Sequence, residues 1–246
     1  RVVPFLLHDK YLNLETIKKV KKAIYQDENS PYPVSPLSIA EDICEDLYKN
    51  FVDHKIFGIG GDHSCSYPLV NTYLKSKKSS KKKVALIHFD AHTDLLLERQ
   101  GIDICFGTWA ANILSFLPSP DLLFQIGIRT SANSKDHWEK KFGINQIWAK
   151  EVLTQGKEKI SKEIIQKLKK AKVDELYISF DLDCLDIEYA SATGTPEKNG
   201  LTPFDAIAII KNLRKEIPVT GADFMELAPH LNGNNLETLL SSGAIA

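Results

Sequence analysis

A chain of 246 residues with 43% hydrophobic content can bury a full core, and without a low-complexity linker or internal repeat it reads as a single domain over residues 1–246. Its 31 lysines and arginines stand against 32 acids, a net charge of −1, so no global field draws it to nucleic acid or an anionic membrane, and a small molecule is the expected partner. Four cysteines (Cys44, Cys65, Cys105, Cys184) are too few and too irregular for a disulfide framework and form no C-x-x-C pair. No apolar run reaches the roughly 18 residues of a membrane span and no signal peptide is visible, so the cytoplasm is the expected compartment. The chain opens on Arg1 rather than Met, which leaves room for a leader or N-terminal segment ahead of it.

In chain order, Val2 to Leu7 reads as a short strand, followed by a polar, proline-punctuated and partly irregular segment through Tyr32-Pro33. Ser35-Pro36 opens a helix on which Ile39, Ile43 and Leu47 fall four apart, as on one buried face. Lys55 to Ile59 is a strand that runs into Gly60-Gly61-Asp62-His63-Ser64, with a helix from Tyr67 to Leu74. The lysines between Lys77 and Lys83 read as a solvated loop. Val84 to Phe89 is an unbroken apolar strand ending in Asp90, His92 and Asp94, spaced two apart so that extended geometry would bring them to one side. Leu122 to Ile128 is a strand, Lys157 to Lys172 a helix with Ile160, Ile164, Leu168 and Ala171 on one face, and Leu176 to Phe180 a strand ending in Asp181-Leu182-Asp183. Thr202-Pro203 starts a helix through Leu213, and Val219 to Phe224 is a last strand ending in Met225-Glu226. This alternation predicts a three-layer α/β/α sandwich around a mostly parallel, doubly wound sheet, with function along the carboxyl edge of its strands.

Three strand ends thus supply His63, then Asp90, His92 and Asp94, then Asp181 and Asp183. Four carboxylates and two imidazoles carry too much negative charge for one divalent ion, because an unpaired buried carboxylate is costly to desolvate. Two ions balance them. Mostly oxygen ligands with about one histidine per metal suit Mn²⁺, with Fe²⁺, Co²⁺ or Ni²⁺ as alternatives, better than the tetrahedral nitrogen and sulfur sites of zinc. His8, His54, His137 and His230 read as surface or locally bonded histidines, and His88 as a core residue or a support behind the ligands.

Gly-Gly-Asp-His-Ser at 60–64, Asp-Ala-His-Thr-Asp at 90–94 and Ser-Phe-Asp-Leu-Asp-Cys-Leu-Asp at 179–186 resemble the three metal motifs of the ureohydrolase family, which includes arginase, agmatinase and formimidoylglutamase. The resemblance continues through Gly127-Ile128-Arg129, Ala192-Thr193-Gly194-Thr195-Pro196, Gly200-Leu201-Thr202 and Asp223 to Pro229, covering most of the chain after about residue 35. It implies an arginase-like fold, a homo-oligomer, and a binuclear manganese centre that hydrolyses a guanidinium or formimino carbon–nitrogen bond. By matched position, His63, Asp90, Asp94 and Asp181 would hold one metal and Asp90, His92, Asp181 and Asp183 the other, with Asp90 and Asp181 bridging. Glu226 would clamp the substrate guanidinium, and Asp94 would pass a proton to the leaving amine.

Two positions depart from the family pattern. Where hydrolytic members carry a His-Gly pair, this chain has Phe106-Gly107, and Ile187 stands where a proline usually follows Asp186. Phe106, next to Trp109, is expected to form an apolar pocket wall, and with Glu226 and Thr195 it completes the expected substrate-facing set. The leading expectation is a dimetal amidinohydrolase acting on something other than arginine. The alternative is a metal-binding relative that has lost hydrolysis and serves in binding or regulation. A metallophosphoesterase would need further Asn-His and His-x-His motifs, and a deacetylase-like enzyme a mononuclear zinc set; neither fits these residues.

Overall fold

The computed structural model describes residues 8–51, 54–231 and 236–245, so the expected strand from Val2 to Leu7 lies outside the described residues. Six strands, β1 Phe57–Ile59, β2 Val84–Phe89, β3 Leu123–Ile128, β4 Asn145–Trp148, β5 Glu175–Asp181 and β6 Val219–Met225, form one sheet in the order β1-β6-β5-β2-β3-β4. Every pairing is parallel. The helices are α1 Leu14–Tyr25, α2 Pro36–Asn50, α3 Ser66–Ser79, α4 Trp109–Ile113, α5 Lys135–Phe142, α6 Ala149–Gln155, α7 Lys157–Lys170, α8 Pro203–Glu216 and α9 Leu236–Ile245.

The central strand β2 is buried at all six positions because helices cover both faces, the condition under which a strand reads as a continuous apolar run. Ala85, Ile87 and Phe89 join Phe124, Ile126, Ile178 and Phe180 beneath Val152 of α6, Ile160, Ile164 and Leu168 of α7, and Ile209 and Leu213 of α8. Val84 and Leu86 face the other way with Leu123 and Tyr177, packing against Val70, Tyr73 and Leu74 of α3 and Trp109, Ala110 and Ile113 of α4. This is the predicted three-layer sandwich.

Near the carboxyl ends, one register row crosses the sheet: Gly58, Asp223, Ser179, His88, Gln125 and Gln146 are successive neighbours from β1 to β4. All five polar members are buried. They interrupt otherwise apolar strands at one level, immediately behind the strand ends.

One helix goes beyond expectation, and two local expectations need correction. Within the segment expected to be partly irregular, residues 14–25 form a helix with no sequence expectation behind it: Asn13 accepts from the Thr16 amide as an N-cap, and Ile17 and Val20 are half-buried. Helix α2 begins at Pro36 as expected, but Ile43 and Leu47 are 52% and 38% exposed while Leu37, Ser38 and Cys44 are buried. The reason is polar: Glu41, on the same face as Leu37 and Cys44, accepts from Asn71 and pairs with Lys75 of α3, a contact that apolar spacing does not register. The lysine run is not all loop, since Lys77 and Lys78 complete α3 and Lys77 pairs with Glu175 at 2.7 Å.

Candidate active site

The three strand ends converge, though not through continued extension. After Phe89 the chain turns at once: the His92 amide donates to Asp90 Oδ1 at 2.6 Å, and Asp94 adopts a left-handed backbone with φ 50°. The Asp183 amide likewise donates to Asp181 Oδ1 at 2.8 Å in a 3-10 turn, and the Ala91 amide donates to Asp183 Oδ1 at 3.0 Å. These aspartates therefore shape the loops that carry them. Gly127 makes room for this convergence, because its φ of 100° and the Asp90 carbonyl, 3.1 Å from where a Cβ would stand, exclude a side chain.

His63 Nδ1 is buried without a hydrogen-bond partner, facing Asp181 Oδ2 at 2.9 Å, Asp90 Oδ2 at 3.2 Å and Asp94 Oδ2 at 3.3 Å. Its orientation is set from behind. Nε2 lies 3.0 Å from Ser179 Oγ, whose hydroxyl donates to Asp223 Oδ1 at 2.7 Å, so Nε2 carries a proton and Nδ1 points among the carboxylates. Tyr177 and Ser66 also donate to Asp223, which keeps that buried carboxylate an acceptor. His92 Nδ1 stands 3.0 Å from Asp183 Oδ2 and 3.4 Å from Asp90 Oδ1. His63, His88, Asp90 and Asp94 form one group able to hold a metal ion, and Asp90, His92 and Asp183 a second that shares Asp90. Both ring nitrogens of His88 are already engaged, Nε2 by Asp90 Oδ2 at 2.9 Å and Nδ1 by the Gln125 amide at 3.0 Å. An orphaned imidazole nitrogen among three carboxylate oxygens, beside a second cluster with a common aspartate, fits a pair of divalent cations.

Electrostatics agree with that fit. Burial, then the neighbouring Asp90 charge, pushes Asp94 well above the usual carboxylate range, and burial with the charges of Asp183 and Asp90 does the same to Asp181. Asp90 is held well below that range despite its burial, because the imidazoles of His63, His88 and His92 all stand against it. Burial opposes charge on His63 and His92, yet the carboxylates of Asp181 and Asp90 facing His63 raise it well above its ordinary value, and Asp183 and Asp90 raise His92 to about 11. Protons occupy places that cations can take.

The cluster floors a cavity of about 370 Å³. Glu226 lies at its side with φ 64°, Oε1 accepting from the His63 amide at 2.8 Å and Oε2 without a hydrogen-bond partner among the described residues. Burial raises its pKa above the usual glutamate value. Thr195 lines the cavity and donates to Asp183 Oδ2 at 3.0 Å. Phe106 lines the cavity and is 39% exposed. Trp109 does not join it as a wall: the indole is fully buried in the α3/α4 core, and its Nε1 donates to Asp94 Oδ2. Trp109 opens α4, which turns inward, so it does not share the surface of Phe106. Sequence reasoning also passed over Ser179, Asp223, Gln125 and Arg99. The first three were visible as polar residues inside apolar strands, whereas Arg99 had no signal beyond its charge.

Over 208 residues the chain is 30% identical to a guanidinobutyrase of Pseudomonas aeruginosa, covering 82% of this chain and 63% of that one. An agmatinase of Chromobacterium violaceum is 32% identical over 211 residues, covering 85% and 61% respectively, so the chain spans less than two thirds of the length of these curated relatives. The crystal structure of a hypothetical agmatinase from Burkholderia thailandensis superposes with a TM-score of 0.68 at 28% identity, covering 85% of this chain and 63% of that one. Residues 7–246 match the family model described as the Arginase family, and with its motifs gathered at one carboxyl edge of a parallel sheet the chain belongs to that family.

Proposed function

We propose that this protein is a binuclear metal-dependent amidinohydrolase that cleaves a carbon–nitrogen bond of a small guanidino or formimino compound other than arginine, with residues 1–246 as one catalytic unit. The observation that carries the reading is His63 Nδ1, buried and facing three carboxylate oxygens at 2.9 to 3.3 Å. The relatives' names, guanidinobutyrase and agmatinase, support a guanidino substrate. His63, Asp90, Asp94 and Asp181 would hold one ion and Asp90, His92, Asp181 and Asp183 the other, Asp90 and Asp181 bridging. The oxygen-rich set favours Mn²⁺, with Fe²⁺, Co²⁺ or Ni²⁺ as substitutes. Once bound, the two ions supply Lewis acidity and a water acidic enough to attack at neutral pH.

The chain's own residues do the rest. Glu226 Oε2 receives the planar cation and fixes its plane, while the His63 amide holds Oε1. Asp94 Oδ2 is anchored by Trp109, which leaves Oδ1 to take the proton released by the attacking water and return it to the departing amine. Thr195 steadies Asp183. Homo-oligomerisation and a cytoplasmic setting accord with this reading, and among the described residues no helix is long and apolar enough to cross a membrane.

The test is metal analysis of manganese-loaded protein together with a screen for urea, ammonia or formamide release. About two ions per chain, reduced at both sites by Asp181→Asn, with turnover of at least one guanidino compound, is the expected result. Two ions without any turnover would favour a binding or regulatory protein, and one ion or none in well-folded protein would remove the binuclear reading.

A further inference from the structure

Arg99 is the only lysine or arginine among the described residues lining the cavity, and it forms no ion pair among the described residues. Its guanidinium carbon sits 4.5 Å from the centroid of the Phe106 ring, within reach of a cation–π contact. The loop carrying both is built rather than loose. Arg99 and Ile102 exchange backbone hydrogen bonds of 2.8 and 3.1 Å around Gln100 and Gly101, whose φ values of 55° and 78° make the primed turn of a two-residue hairpin. The Leu96 amide donates to the Gly107 carbonyl at 3.1 Å at the hairpin base. Beyond the tip, Asp103 is tied to Lys10 at 2.7 Å and to the Tyr11 hydroxyl, which also accepts from the Ile104 amide at 2.8 Å.

The charges in the cavity then divide by position. The four ligand aspartates face the cations they would hold, and Glu226 faces the guanidinium. Arg99 is left over, on the loop with Phe106 rather than among the ligands. Thr130 and Asn133, which also line the cavity, have side chains without partners among the described residues, so neutral donors accompany the cation. An arginine stacked on a ring keeps its edge N–H groups free, a geometry suited to a carboxylate.

We infer that Arg99, held on Phe106, forms an anion subsite that selects guanidino compounds whose far end is a carboxylate over those whose far end is an amine. Phe106 thereby has a role other than an idle apolar wall: its face holds the guanidinium in the cavity. The inference rests on the hydrolase reading only for the guanidinium end of the ligand.

Calorimetric titration of manganese-loaded protein with 4-guanidinobutanoate and with 4-aminobutylguanidine tests it without requiring turnover. Wild-type protein should bind the acid about tenfold more tightly than the amine at low salt, a preference that narrows as salt rises. Arg99→Leu should abolish the preference, Arg99→Lys should keep part of it, and Arg99→Glu should reverse it. All three should retain wild-type metal content, since Arg99 is exposed and makes no hydrogen bond or ion pair to the expected ligands among the described residues. An acid that binds with this Arg99-dependent preference but stays intact supports the subsite and removes the hydrolase reading. Equal binding of the two compounds, no binding of the acid, or a preference that survives Arg99→Leu overturns the subsite whether or not urea is released.

Discussion

Trp109 Nε1 donates a 2.8 Å hydrogen bond to Asp94 Oδ2 from within the apolar core, so the aspartate proposed to shuttle the proton is oriented by the layer beneath it. Asp94 also occupies a left-handed backbone conformation, which costs a non-glycine residue about 1 to 3 kcal/mol unless its surroundings hold it there. Trp109→Phe keeps most of the packing and removes the donor. Manganese affinity should fall by about 10- to 100-fold, as it does when a ligand loses its outer partner. Competition with a fluorescent chelator measures this, and an unchanged affinity would reduce the indole to a packing role.

Gln125 joins the site to the sheet edge. Its amide donates to His88 Nδ1 at 3.0 Å and to the Thr93 carbonyl at 2.6 Å, and its oxygen accepts from Gln146 at 2.8 Å, while Trp148 donates to Gln146 at 3.0 Å. From Trp148 through Gln146 and Gln125 to His88 the side-chain bonds donate toward Asp90, which places the His88 proton on Nε2. Gln125→Leu should destabilise the fold by about 1 to 3 kcal/mol for each buried group left unpaired. Manganese affinity should fall as well, since the Thr93 carbonyl lies between His92 and Asp94. Urea denaturation with and without manganese separates the two effects.

Glu226→Gln should leave both metals in place, because Gln can still accept from the His63 amide. Binding of a guanidinium inhibitor should weaken by about 1.5 to 3 kcal/mol with the loss of the charge-assisted pair. Metal loss in this variant would assign Glu226 to the coordination sphere instead.

Proton linkage gives a prediction for the metal-free protein. His92 is raised to about 11 and His63 is raised too, so the stability they contribute is complete below their unfolded value near 6.5 and is lost as pH climbs through the folded values. Asp94 and Asp181, also raised, act in the same direction from the ordinary carboxylate range upward. Asp90 acts oppositely, its contribution being lost only in acid. Metal-free protein should therefore lose thermal stability between pH 7 and about 11. Manganese displaces those protons, so its affinity should rise with pH, and calorimetry in buffers of different ionisation enthalpy should record proton release.

A phenyl ring cannot relay a proton, and such help is worth roughly 10² to 10⁴ in rate. Arginine turnover should accordingly be at least about a hundredfold slower than in a histidine-bearing relative, with some activity restored by Phe106→His. A rate near 10 s⁻¹ for arginine in the unaltered protein would show that the histidine is dispensable here.

The parallel sheet and the convergence of the ligand strands were legible because each relies on a local signal: apolar runs of strand length, ending abruptly in carboxylates. The loop conformations beyond Phe89 and Asp181 were not, since Asx turns and the left-handed Asp94 break the alternation that the spacing invited. Packing orientation was also hidden. Ile39, Ile43 and Leu47 are spaced as a core face, yet the Glu41 contact with Asn71 and Lys75 turns α2 elsewhere, and only the folded partner reveals that preference. Trp109 shows the same limit: adjacency to Phe106 said nothing about which side of the backbone each ring would occupy.

The buried polar row from Asp223 to Gln146 also bears on how the sheet assembles. A two-residue slip of β2, which preserves its inward and outward faces, would set Leu86 opposite Gln125 and part the Gln125 amide from the His88 ring, at about 1 to 3 kcal/mol for each buried group left unpaired. Apolar neighbours alone would penalise such a slip far less, because one valine or leucine serves nearly as well as the next. The row thus behaves as a key cut across five strands: a misaligned sheet leaves buried polar groups unpaired, so the chain's own residues favour the working alignment.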